Sequence, residues 1–476
     1  MRLEELNITR LVTDSRKVSP GDTFVAYPGE SLDGRLYIAD AIRSGAASVI
    51  WEEEGFSWNE DWNLPNVAIR GLREQAGEIA SRVYGNPSGK LWVVGVTGTN
   101  GKTSCSHWIA SAMTKLGKKT AVVGTLGNGF PGKLSPTSNT TPDPVLLQEL
   151  LAQYLKEGAR CVAMEVSSHA LSQGRVAGVE FDVALFTNLT RDHLDYHGDM
   201  DSYGAAKASL FMRPELKYAI LNADDPFTAG MKKRESAAKK IPYGFVNTGD
   251  PMQVLGGELR MHGGLLSLEV ESPWGNGMIE SPVVGRFNAS NLLGVLSVLL
   301  ASGYDLESAV NALAEIVPVP GRMQQVGGGG APLVVVDYAH TPDALENVLS
   351  TMREVAPKGR LICIFGCGGD RDAGKRPVMG RIASRLADHV VVTSDNPRSE
   401  DPRAIISEII AGIEGDYCVI ADREKAIRQT ILACSMFDMI LLAGKGHEEY
   451  QEISGKKFPF SDLEIAKAAI DEWGMR

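Results

Sequence analysis

The chain has 476 residues, of which 43% are hydrophobic and 22% are charged, and its formal net charge is −11 at pH 7. This length predicts roughly two to four globular domains of ~100–200 residues each. The acidic balance, with no basic stripe, argues against a nucleic-acid-binding protein. The longest apolar run, at 292–301, falls well short of the ~20 residues that a membrane-spanning helix needs.

Six cysteines form no pattern that is typical of a metal site or a disulfide framework. None are spaced C-x-x-C, and Cys363 and Cys367 lack a second pair to complete a zinc site. We therefore expect reduced thiols. The charged N-terminus, MRLEEL, is unlike a signal peptide. Together these features predict a cytoplasmic protein, and we expect a monomer that has small-molecule partners and binds neither nucleic acid nor membranes.

Residues 1–88 predict a small α/β domain. Short apolar strands at 23–27 and 48–51 flank a segment with helical spacing at 37–43. The turn-rich sequence GNPSG at 85–89 then predicts a linker. We place the first domain boundary there.

A second domain is predicted at residues 89–320. It begins with an apolar strand at 91–96, a glycine-rich loop and a helix from Lys102 onward. Further buried strands, separated by helical segments, are predicted at 160–166, 183–188 and 218–222, and this alternation is typical of a parallel sheet. Over 253–285 the pattern predicts an antiparallel extension whose Gly-rich turns are Gly256–Gly257, Gly263–Gly264 and the WGNG sequence at 274–277.

The third domain is predicted at residues 321–476. A turn at 318–321 and a glycine run at 327–330 interrupt the chain around this boundary, and we expect residues 318–332 to act as a hinge. The β/α alternation then restarts, with strands predicted at 333–337, 360–365, 389–394, 416–420 and 439–443. The sequence therefore predicts an α/β protein of three domains.

The stretch VVGVTGTNGKT at 93–103 predicts a phosphate-binding loop between a strand and a helix. Backbone N–H groups and the helix dipole favour an anion there. In this interpretation Lys102 reaches the β- and γ-phosphates and Thr103 ligates Mg²⁺. The usual G-x4-G-K-[ST] pattern would have its first glycine at Val96, but the glycine is Gly95. This departure argues against an ordinary kinase or GTPase loop, and a plain strand–turn–helix is the alternative.

Polar side chains follow the later strands of this domain. Glu165 ends a predicted strand at the sheet edge where ligands bind, so it could hold Mg²⁺ or be a strand-terminal charge. His193 could ligate a second metal or be a surface or capping residue. Lys207 lies in a predicted amphipathic helix, and taken alone it is most simply a solvated lysine.

Four motifs in this order resemble those of the Mur ligases of peptidoglycan synthesis: TGTNGKT, EVSSH, TNLTRDHLDYH and YGAAKASLF. The family uses the same loop form, with valine where the usual pattern has glycine. The likeness covers essentially the whole chain. It implies a UDP-binding N-terminal domain, a central ATPase domain and a C-terminal Rossmann-like domain, with ATP and Mg²⁺ as cofactors.

The resemblance also implies roles around ATP. The family's lysine at the position of Lys207 is carbamylated by CO₂ to N6-carboxylysine, an anion able to bind Mg²⁺. Thr103 and Glu165 would hold one metal, with His193 and the modified Lys207 near a second. The implied ATP-binding residues are Thr97, Gly98, Thr99, Asn100, Gly101, Lys102, Thr103, Asn288, Asn291, Arg322 and Asp337.

Four of these positions carry implied catalytic roles, namely Lys102, Lys207, His193 and Arg322. Simpler roles stay open for three of the ATP-binding positions. Asn288 could cap a helix, Arg322 could pair with a surface carboxylate, and Asp337 could begin a turn.

TDSR at 13–16 and NTTPDP at 139–144 resemble the branch of the family that adds the third amino acid. The segment 30–32 should line the same nucleotide pocket. TTPD also fits an N-cap and first turn of a helix over 143–156, and both roles can hold together. The implied contacts with the UDP-muramoyl-dipeptide are Ser15, Asn139, Thr140, Thr141, Ser167, Gln173 and Arg175.

DNPR at 395–398 has the form found in family members that add meso-diaminopimelate, whereas lysine-adding relatives usually lack the arginine. The distal end of diaminopimelate carries a carboxylate that lysine lacks, and an arginine fork can bind it with two hydrogen bonds. Ordinary turn chemistry is the alternative explanation for Asn396. The implied amino-acid contacts are Arg371, Asp395, Asn396, Pro397, Arg398, Gly444 and Glu448.

The implied activity is that of an ATP-dependent, amide-bond-forming ligase. It would add meso-diaminopimelate to the D-glutamate of UDP-N-acetylmuramoyl-L-alanyl-D-glutamate through an acyl phosphate. The alternatives are a lysine-adding Mur ligase, which DNPR disfavours, and a folylpolyglutamate synthase, which TDSR and NTTPDP disfavour. A P-loop nucleotide switch is the non-enzymatic alternative, and it would need no amine acceptor.

Overall fold

The computed structural model describes residues 3–30, 32–262, 265–355 and 359–475, and within them four β-sheets form. Three of these sheets organise an N-terminal, a central and a C-terminal domain, and the fourth is a two-stranded hairpin. The predicted α/β class is confirmed. Across the described ranges, no helix combines the length and apolar character needed to cross a membrane.

The N-terminal domain has a four-stranded parallel sheet in the order β1-β2-β3-β4. The two inner strands, β2 and β3, are buried along their whole length, as their apolar sequences predict. β1 is only two residues long, too short for a periodic signal. The elements are β1 Leu11–Val12, β2 Thr23–Ala26, α1 Ile38–Arg43, β3 Ser48–Glu52, β4 Asn66–Ile69 and α2 Leu72–Val83.

The central domain is an eleven-stranded sheet in the order β15-β14-β13-β12-β11-β10-β5-β9-β6-β7-β8. Its elements are β5 Trp92–Thr97, α3 Lys102–Lys115, β6 Thr120–Gly124, β7 Gly127–Phe130, β8 Lys133–Ser135, α4 Pro144–Lys156, β9 Cys161–Glu165, α5 Ser168–Ser172, β10 Val183–Phe186, α6 Leu194–His197, α7 Met200–Ala208, β11 Tyr218–Asn222, α8 Phe227–Lys233, β12 Lys239–Gly244, β13 Val254–His262, β14 Leu265–Ser272, β15 Gly275–Ser281, α9 Arg286–Ala301 and α10 Leu306–Ala314.

The parallel register explains why the predicted motifs meet. β5 lies between β9 and β10, with Val96 opposite Glu165 and Thr97 opposite Phe186. The phosphate loop, Glu165 and the segment 187–197 therefore all leave the sheet at one edge. Carboxyl ends of neighbouring parallel strands are where open α/β sheets bind ligands.

The antiparallel extension is confirmed, but the turn predicted at Gly256–Gly257 is wrong. Gly256 lies inside β13, at a register shift, where an added Cβ would come within 2.8 Å of Leu293 Cδ1. This glycine allows the strand to pack closely against α9. The turn predicted at WGNG, 274–277, is confirmed in part, because a turn at Pro273 and Trp274 joins β14 to β15, whereas Gly275 and Gly277 lie inside β15. Gly263 and Gly264, the third predicted turn, lie outside the described residues.

The C-terminal domain has a six-stranded sheet in the order β16-β17-β21-β18-β19-β20, parallel except for β16. β16 falls within the segment predicted as a hinge. The elements are β16 Gln324–Gly327, β17 Leu333–Asp337, α11 Pro342–Val355, β18 Leu361–Phe365, α12 Lys375–Leu386, β19 His389–Val392, α13 Pro402–Ile410, β20 Tyr417–Val419, α14 Arg423–Ala433, β21 Met439–Ala443, β22 Tyr450–Ile453, β23 Lys456–Pro459 and α15 Asp462–Gly474.

A buried ion pair joins α14 to α15 in this domain. Arg423 donates from Nε and Nη2 to the two carboxylate oxygens of Asp462 at 2.8 and 2.7 Å, and both side chains are 0% exposed. We expect Asp462→Ala to lower the free energy of unfolding by about 3–5 kcal/mol, because it leaves a buried guanidinium without its counter-charge. Thermal unfolding of the purified variant measures this loss.

Asp422→Ala is the matched control for that prediction. Asp422 is exposed and caps the same helix α14, accepting from the backbone N–H of Lys425 at 3.0 Å. Its loss should cost only about 1 kcal/mol. Equal destabilisation by the two variants would contradict the importance of the buried pair.

Candidate active site

A cavity of about 1180 Å³ lies between the central and C-terminal domains. Most of the predicted site residues line it. They are Thr99, Asn100, Gly101, Lys102, Thr103, Asn139, Thr140, Glu165, Ser167, Arg175, His193, Lys207, Arg322, Arg371, Asp395, Asn396, Arg398, Gly444 and Glu448. The predicted residues that do not line it are Ser15, Thr97, Gly98, Thr141, Gln173, Asn288, Asn291, Asp337 and Pro397.

The phosphate loop joins β5 to α3. Lys102 is the first residue of α3, and its Nζ donates to the carbonyl oxygens of Gly98 and Thr99, each at 2.8 Å. Burial lowers the pKa of Lys102 from its ordinary value. Val96, the departure from the usual pattern, is a fully buried strand residue. Glycine is needed instead at Gly95, where a Cβ would come within 2.8 Å of the Phe181 ring.

Gly101 caps α3 with a positive φ of 85°, and a Cβ there would lie 2.6 Å from Asn291 Oδ1. We expect Gly101→Ala to raise the KM for ATP at least about tenfold, because the loop must shift to relieve this contact. Gly117, just beyond the other end of α3, is a matched control. Its φ is 90°, and an added Cβ would meet nothing within 4 Å.

Gly117→Ala should therefore show only the backbone cost of about 1–2 kcal/mol in stability, with the KM for ATP unchanged. Steady-state kinetics and thermal unfolding of both variants provide the comparison. An unchanged KM in Gly101→Ala would contradict the tight fit of the loop against Asn291.

Thr103 and Glu165 meet in the cavity. The Thr103 hydroxyl donates to Glu165 Oε2 at 3.0 Å, and Thr125 donates to the same carboxylate from its backbone N–H at 2.8 Å and its hydroxyl at 3.2 Å. A hydroxyl and a carboxylate oxygen fit Mg²⁺, which takes oxygen ligands and often few from the protein. In the parts of the chain that the structure covers, no cluster of three or more His, Cys, Asp or Glu side chains suits a metal.

Arg322 approaches the same hydroxyl from the segment before β16. Its Nη2 donates to Thr103 Oγ1 at 3.1 Å, and its guanidinium lies 4.6 Å from the centroid of the Tyr338 ring. Asp337 is buried, which raises its pKa, and it accepts from the backbone N–H of Met323 at 2.7 Å. Asp337 thus fixes the backbone next to Arg322. Asp337 is buried, and Arg322 is half-buried.

Lys207 is 1% exposed, so the interpretation of a solvated lysine is wrong. Its Nζ donates to the carbonyl oxygen of Gly98 at 2.7 Å. Burial, together with the positive charge of Lys102, holds the pKa of Lys207 well below its ordinary value. Burial also lowers the pKa of His193 to about 2. Both shifts favour the neutral form of a side chain that lies next to the phosphate loop.

The two asparagines of α9 are buried behind the loop. Asn288 Nδ2 donates to the carbonyl oxygen of Val284 at 2.8 Å, but Asn288 lies inside α9, whose N-cap is Gly285, so the alternative of a helix cap is wrong. Asn291 lies against Gly101. In the phosphate loop, Asn100 Nδ2 donates to Asp343 of the C-terminal domain at 2.9 Å.

Four of the predicted dipeptide-binding residues form one connected group. Arg175 donates to the carbonyl oxygen of Thr141 at 3.0 Å and to Gln173 Oε1 at 2.7 Å, and the backbone N–H of Ser167 donates to Thr141 Oγ1 at 3.2 Å. The predicted N-cap is confirmed, because the Asp143 carboxylate accepts from the first turn of α4.

The N-terminal domain reaches this group through one residue of the predicted segment 30–32. Glu30 accepts from Gln173 Nε2 at 2.7 Å and from the Tyr196 hydroxyl at 2.6 Å. Ser31 lies outside the described residues. Ser15 begins a short 3₁₀ helix in the N-terminal domain, away from the cavity lining.

The two C-terminal segments meet where β19 and β21 end. Asn396 Nδ2 donates to Glu448 Oε2 at 2.8 Å, and a Cβ on Gly444 would lie 2.5 Å from Asp395 Oδ2. Arg398 has a left-handed backbone, with φ of 51°, and its Nη1 donates to the carbonyl oxygen of Gly369 at 2.6 Å.

Sequence comparisons identify the family. Three family models match residues 7–84, 96–299 and 321–446, as the Mur ligase catalytic domain, the Mur ligase middle domain and the Mur ligase glutamate ligase domain. A relative from Chromobacterium violaceum is 52% identical over 99% of this chain and 96% of its own length. The chain belongs to the Mur ligase family.

Relatives of this Mur ligase share one name. The Chromobacterium violaceum protein and a Pseudomonas aeruginosa protein are both called UDP-N-acetylmuramoyl-L-alanyl-D-glutamate--2,6-diaminopimelate ligase. The second is 49% identical over 98% of this chain and 96% of its own length. A solved structure with the same name is 36% identical, with a TM-score of 0.68 over 98% of this chain and 95% of that one.

More distant Mur ligases share the fold. The MurF ligase of Thermotoga maritima, solved in complex with ADP, has a TM-score of 0.68 at 19% identity and covers 97% of this chain and 98% of its own. At this identity the likeness supports the three-domain architecture alone.

Sequence reasoning missed several residues that line or support the cavity of this Mur ligase. Asp192 lies between two side chains of the C-terminal domain, with Lys375 Nζ at 3.5 Å from its Oδ1 and His340 Nε2 at 3.5 Å from its Oδ2. Thr125, Tyr338 and Lys445 were also missed. Asp192 stands inside the TNLTRDHLDYH motif, and Lys445 directly follows the predicted site residue Gly444, so closeness in sequence to predicted site residues was the available signal.

Proposed function

We propose that this Mur ligase adds meso-diaminopimelate to the γ-carboxyl group of D-glutamate in UDP-N-acetylmuramoyl-L-alanyl-D-glutamate, with ATP as the energy source. The observation that carries the proposal is the position of Asn396, Arg398 and Glu448 in the same cavity as the phosphate loop. An amino acid held there can reach a carboxyl group activated at the loop. The names of relatives that span nearly the whole chain support the same reaction.

We propose that the three sheets correspond to functional domains at residues 1–88, 89–320 and 321–476. The first would bind the UDP end of the substrate, through Ser15 and the segment around Glu30. The second would bind ATP and the dipeptide, and the third would bind the incoming amino acid. We expect a cytoplasmic monomer that acts on small-molecule peptidoglycan precursors.

The reaction has two steps. A γ-carboxylate oxygen of D-glutamate attacks the γ-phosphorus of ATP, and ADP leaves, which gives an acyl phosphate. The neutral amine of diaminopimelate then attacks the acyl carbon, the nitrogen loses a proton, and inorganic phosphate departs. Phosphorylation is needed because a free carboxylate is a poor acyl donor.

The chain's own residues orient these groups and offset the developing charge. The N–H groups of the phosphate loop and the side chains of Lys102 and Arg322 would stabilise negative charge on the phosphoryl oxygens. Thr103 and Glu165 would hold one Mg²⁺, and His193 with carbamylated Lys207 would lie near a second. Bound Mg²⁺ would supply further neutralisation of phosphate charge.

Recognition of the amino acid follows from charge. The Glu448 carboxylate would accept hydrogen bonds from an ammonium group. The guanidinium groups of Arg398 and Arg371 would bind the distal carboxylate, which lysine lacks. This pairing supports meso-diaminopimelate over lysine as the acceptor.

The test measures phosphate release from ATP with the UDP-muramoyl-dipeptide and one of three additions: meso-diaminopimelate, L-lysine or no amine. We expect release to depend on an amine and to be fastest with meso-diaminopimelate. Equal rates in all three conditions would contradict a ligase, and faster release with lysine would contradict the acceptor. Omission of the UDP substrate is the blank.

A further inference from the structure

Lys445 is a fully buried lysine in the loop after β21, between two segments that the proposed function assigns to the amino acid. Its side chain is 0% exposed, and its Nζ lies 3.0 Å from Asn396 Oδ1 and 3.0 Å from Glu448 Oε2. The rings of Tyr450 and Phe460 lie 5.7 and 5.9 Å away. A buried ammonium group is costly unless it is paired and hydrogen-bonded. Glu448 provides the opposite charge, and Asn396 provides a further hydrogen-bond acceptor.

These contacts fix the orientation of the Asn396 amide. Oδ1 accepts from Lys445 Nζ and from the backbone N–H of Glu452 at 2.9 Å, which leaves Nδ2 to donate to Glu448 Oε2 at 2.8 Å. The reversed amide would direct its N–H groups at an ammonium group and at a second donor. Lys445 therefore determines which group Asn396 presents to Glu448.

The same contacts constrain the Glu448 carboxylate. Oε2 accepts from both Lys445 and Asn396, whereas Oε1 makes no hydrogen bond to any residue that the structure describes. Glu448 lines the cavity, and Lys445 does not. The Oε2 atom of Glu448 is thus held by two donors of the protein, and Oε1 is available to a hydrogen-bond donor in the cavity.

We propose that Lys445 is a positioning residue for the amino-acid acceptor. It ties the loop after β19 to the loop after β21 and holds Glu448 with Oε1 available to the ammonium group of diaminopimelate. The inference rests on the proposed function and deepens it. Lys445 acts through Asn396 and Glu448 and does not touch the substrate.

The first test replaces Lys445 with methionine, which has a similar length and no charge. We expect the KM for meso-diaminopimelate to rise at least about tenfold, because Glu448 loses a charge-assisted hydrogen bond that orients it. The KM values for ATP and for the UDP-muramoyl-dipeptide should stay within about twofold of wild type. Equal rises in all three KM values would overturn the proposal.

A double-mutant cycle separates positioning from general support of the fold. If Lys445 acts through Glu448, the two substitutions should not have independent effects. The fold-increase in the KM for meso-diaminopimelate in Lys445→Met/Glu448→Gln should then be well below the product of the fold-increases in the two single variants. Fully multiplicative effects would overturn the proposal, because they would show that the two side chains act independently.

Ile431→Ala is the control for lost stability. Ile431 is buried in the same domain, in the core between α14 and the sheet, and does not line the cavity. This variant should unfold at a lower temperature than wild type and keep its KM for meso-diaminopimelate. A similar KM rise in Ile431→Ala would count against the proposal.

Lys445→Gln provides a second variant in case the methionine protein does not fold. It keeps an N–H donor but loses the charge, and we expect the same selective rise in the KM for meso-diaminopimelate. A wild-type KM in Lys445→Gln would overturn the proposal. Wild-type protein that releases phosphate without any amine would instead overturn the proposed function, and this inference with it.

Discussion

Replacing Lys207 with alanine should lower the rate of diaminopimelate-dependent phosphate release by at least about a thousandfold. Lys207 is buried beside the phosphate loop, and burial together with the charge of Lys102 lowers its pKa, which favours the neutral amine. A neutral amine can add to the carbon of CO₂ and release a proton, which gives a carbamate anion next to the proposed metal position. Alanine removes that anion. Steady-state assays of the purified variant measure the loss.

Added formate or acetate should restore part of the activity of Lys207→Ala, because a small carboxylate can occupy the position of the carbamate. Lys156→Ala, at the exposed end of α4, is the control and should keep wild-type activity with and without formate. Full activity of Lys207→Ala without any addition would rule out the carbamate role.

Replacing Arg398 with alanine should raise the KM for meso-diaminopimelate about 10–100-fold, with little change for ATP. The guanidinium is the group proposed to bind the distal carboxylate with two hydrogen bonds, and Arg398 lies next to Glu452 and Gly369 at the cavity wall. The preference for meso-diaminopimelate over L-lysine should shrink by a similar factor. Measurement of kcat/KM for both amino acids tests this.

Two variants sharpen the Arg398 prediction. Arg398→Lys keeps the charge but loses the planar fork, so its preference for diaminopimelate should fall between those of wild type and Arg398→Ala. Arg381→Ala, on the exposed face of α12, should leave both amino acids unaffected. An unchanged preference in Arg398→Ala would show that another group recognises the distal carboxylate.

Local patterns in the sequence predicted the three-domain α/β fold, and most of the site residues that the patterns and the family resemblance indicated line the cavity. Apolar strands followed by polar loops mark the carboxyl edge of a parallel sheet, and the register of β5 with β9 and β10 brings those loops together. The strand-ending position of Glu165 was visible in the same way. Its hydrogen bond to Thr103 follows directly from that register.

Burial of charged residues could not be predicted locally. Lys207 lies in a short helix whose sequence gives no sign that its lysine faces the phosphate loop, about one hundred residues earlier in the chain. Lys445 and Asn396 come from different strand ends, and Asp192 meets Lys375 only because the central and C-terminal domains face each other. These contacts depend on packing between distant segments, which hydrophobic periodicity does not encode.

In the antiparallel extension, the sequence pattern at Gly256 predicted a turn that the structure does not contain. Paired glycines are typical of turns, yet Gly256 lies within a strand because the neighbouring helix leaves no room for a side chain. Glycine is favoured both in a turn and at a position where a neighbouring side chain packs closely against the backbone. Only the three-dimensional neighbour, Leu293, distinguishes them.

In the proposed reaction, cleavage of ATP drives the joining of one particular amine to the UDP-muramoyl-dipeptide. The most direct measurement is the mass of the UDP product formed when equimolar meso-diaminopimelate and L-lysine compete in one reaction with ATP and Mg²⁺. We expect the product to carry diaminopimelate almost exclusively, with one phosphate released for each amide formed. A product that carries mainly lysine, or ATP hydrolysis without any amide product, would contradict the account.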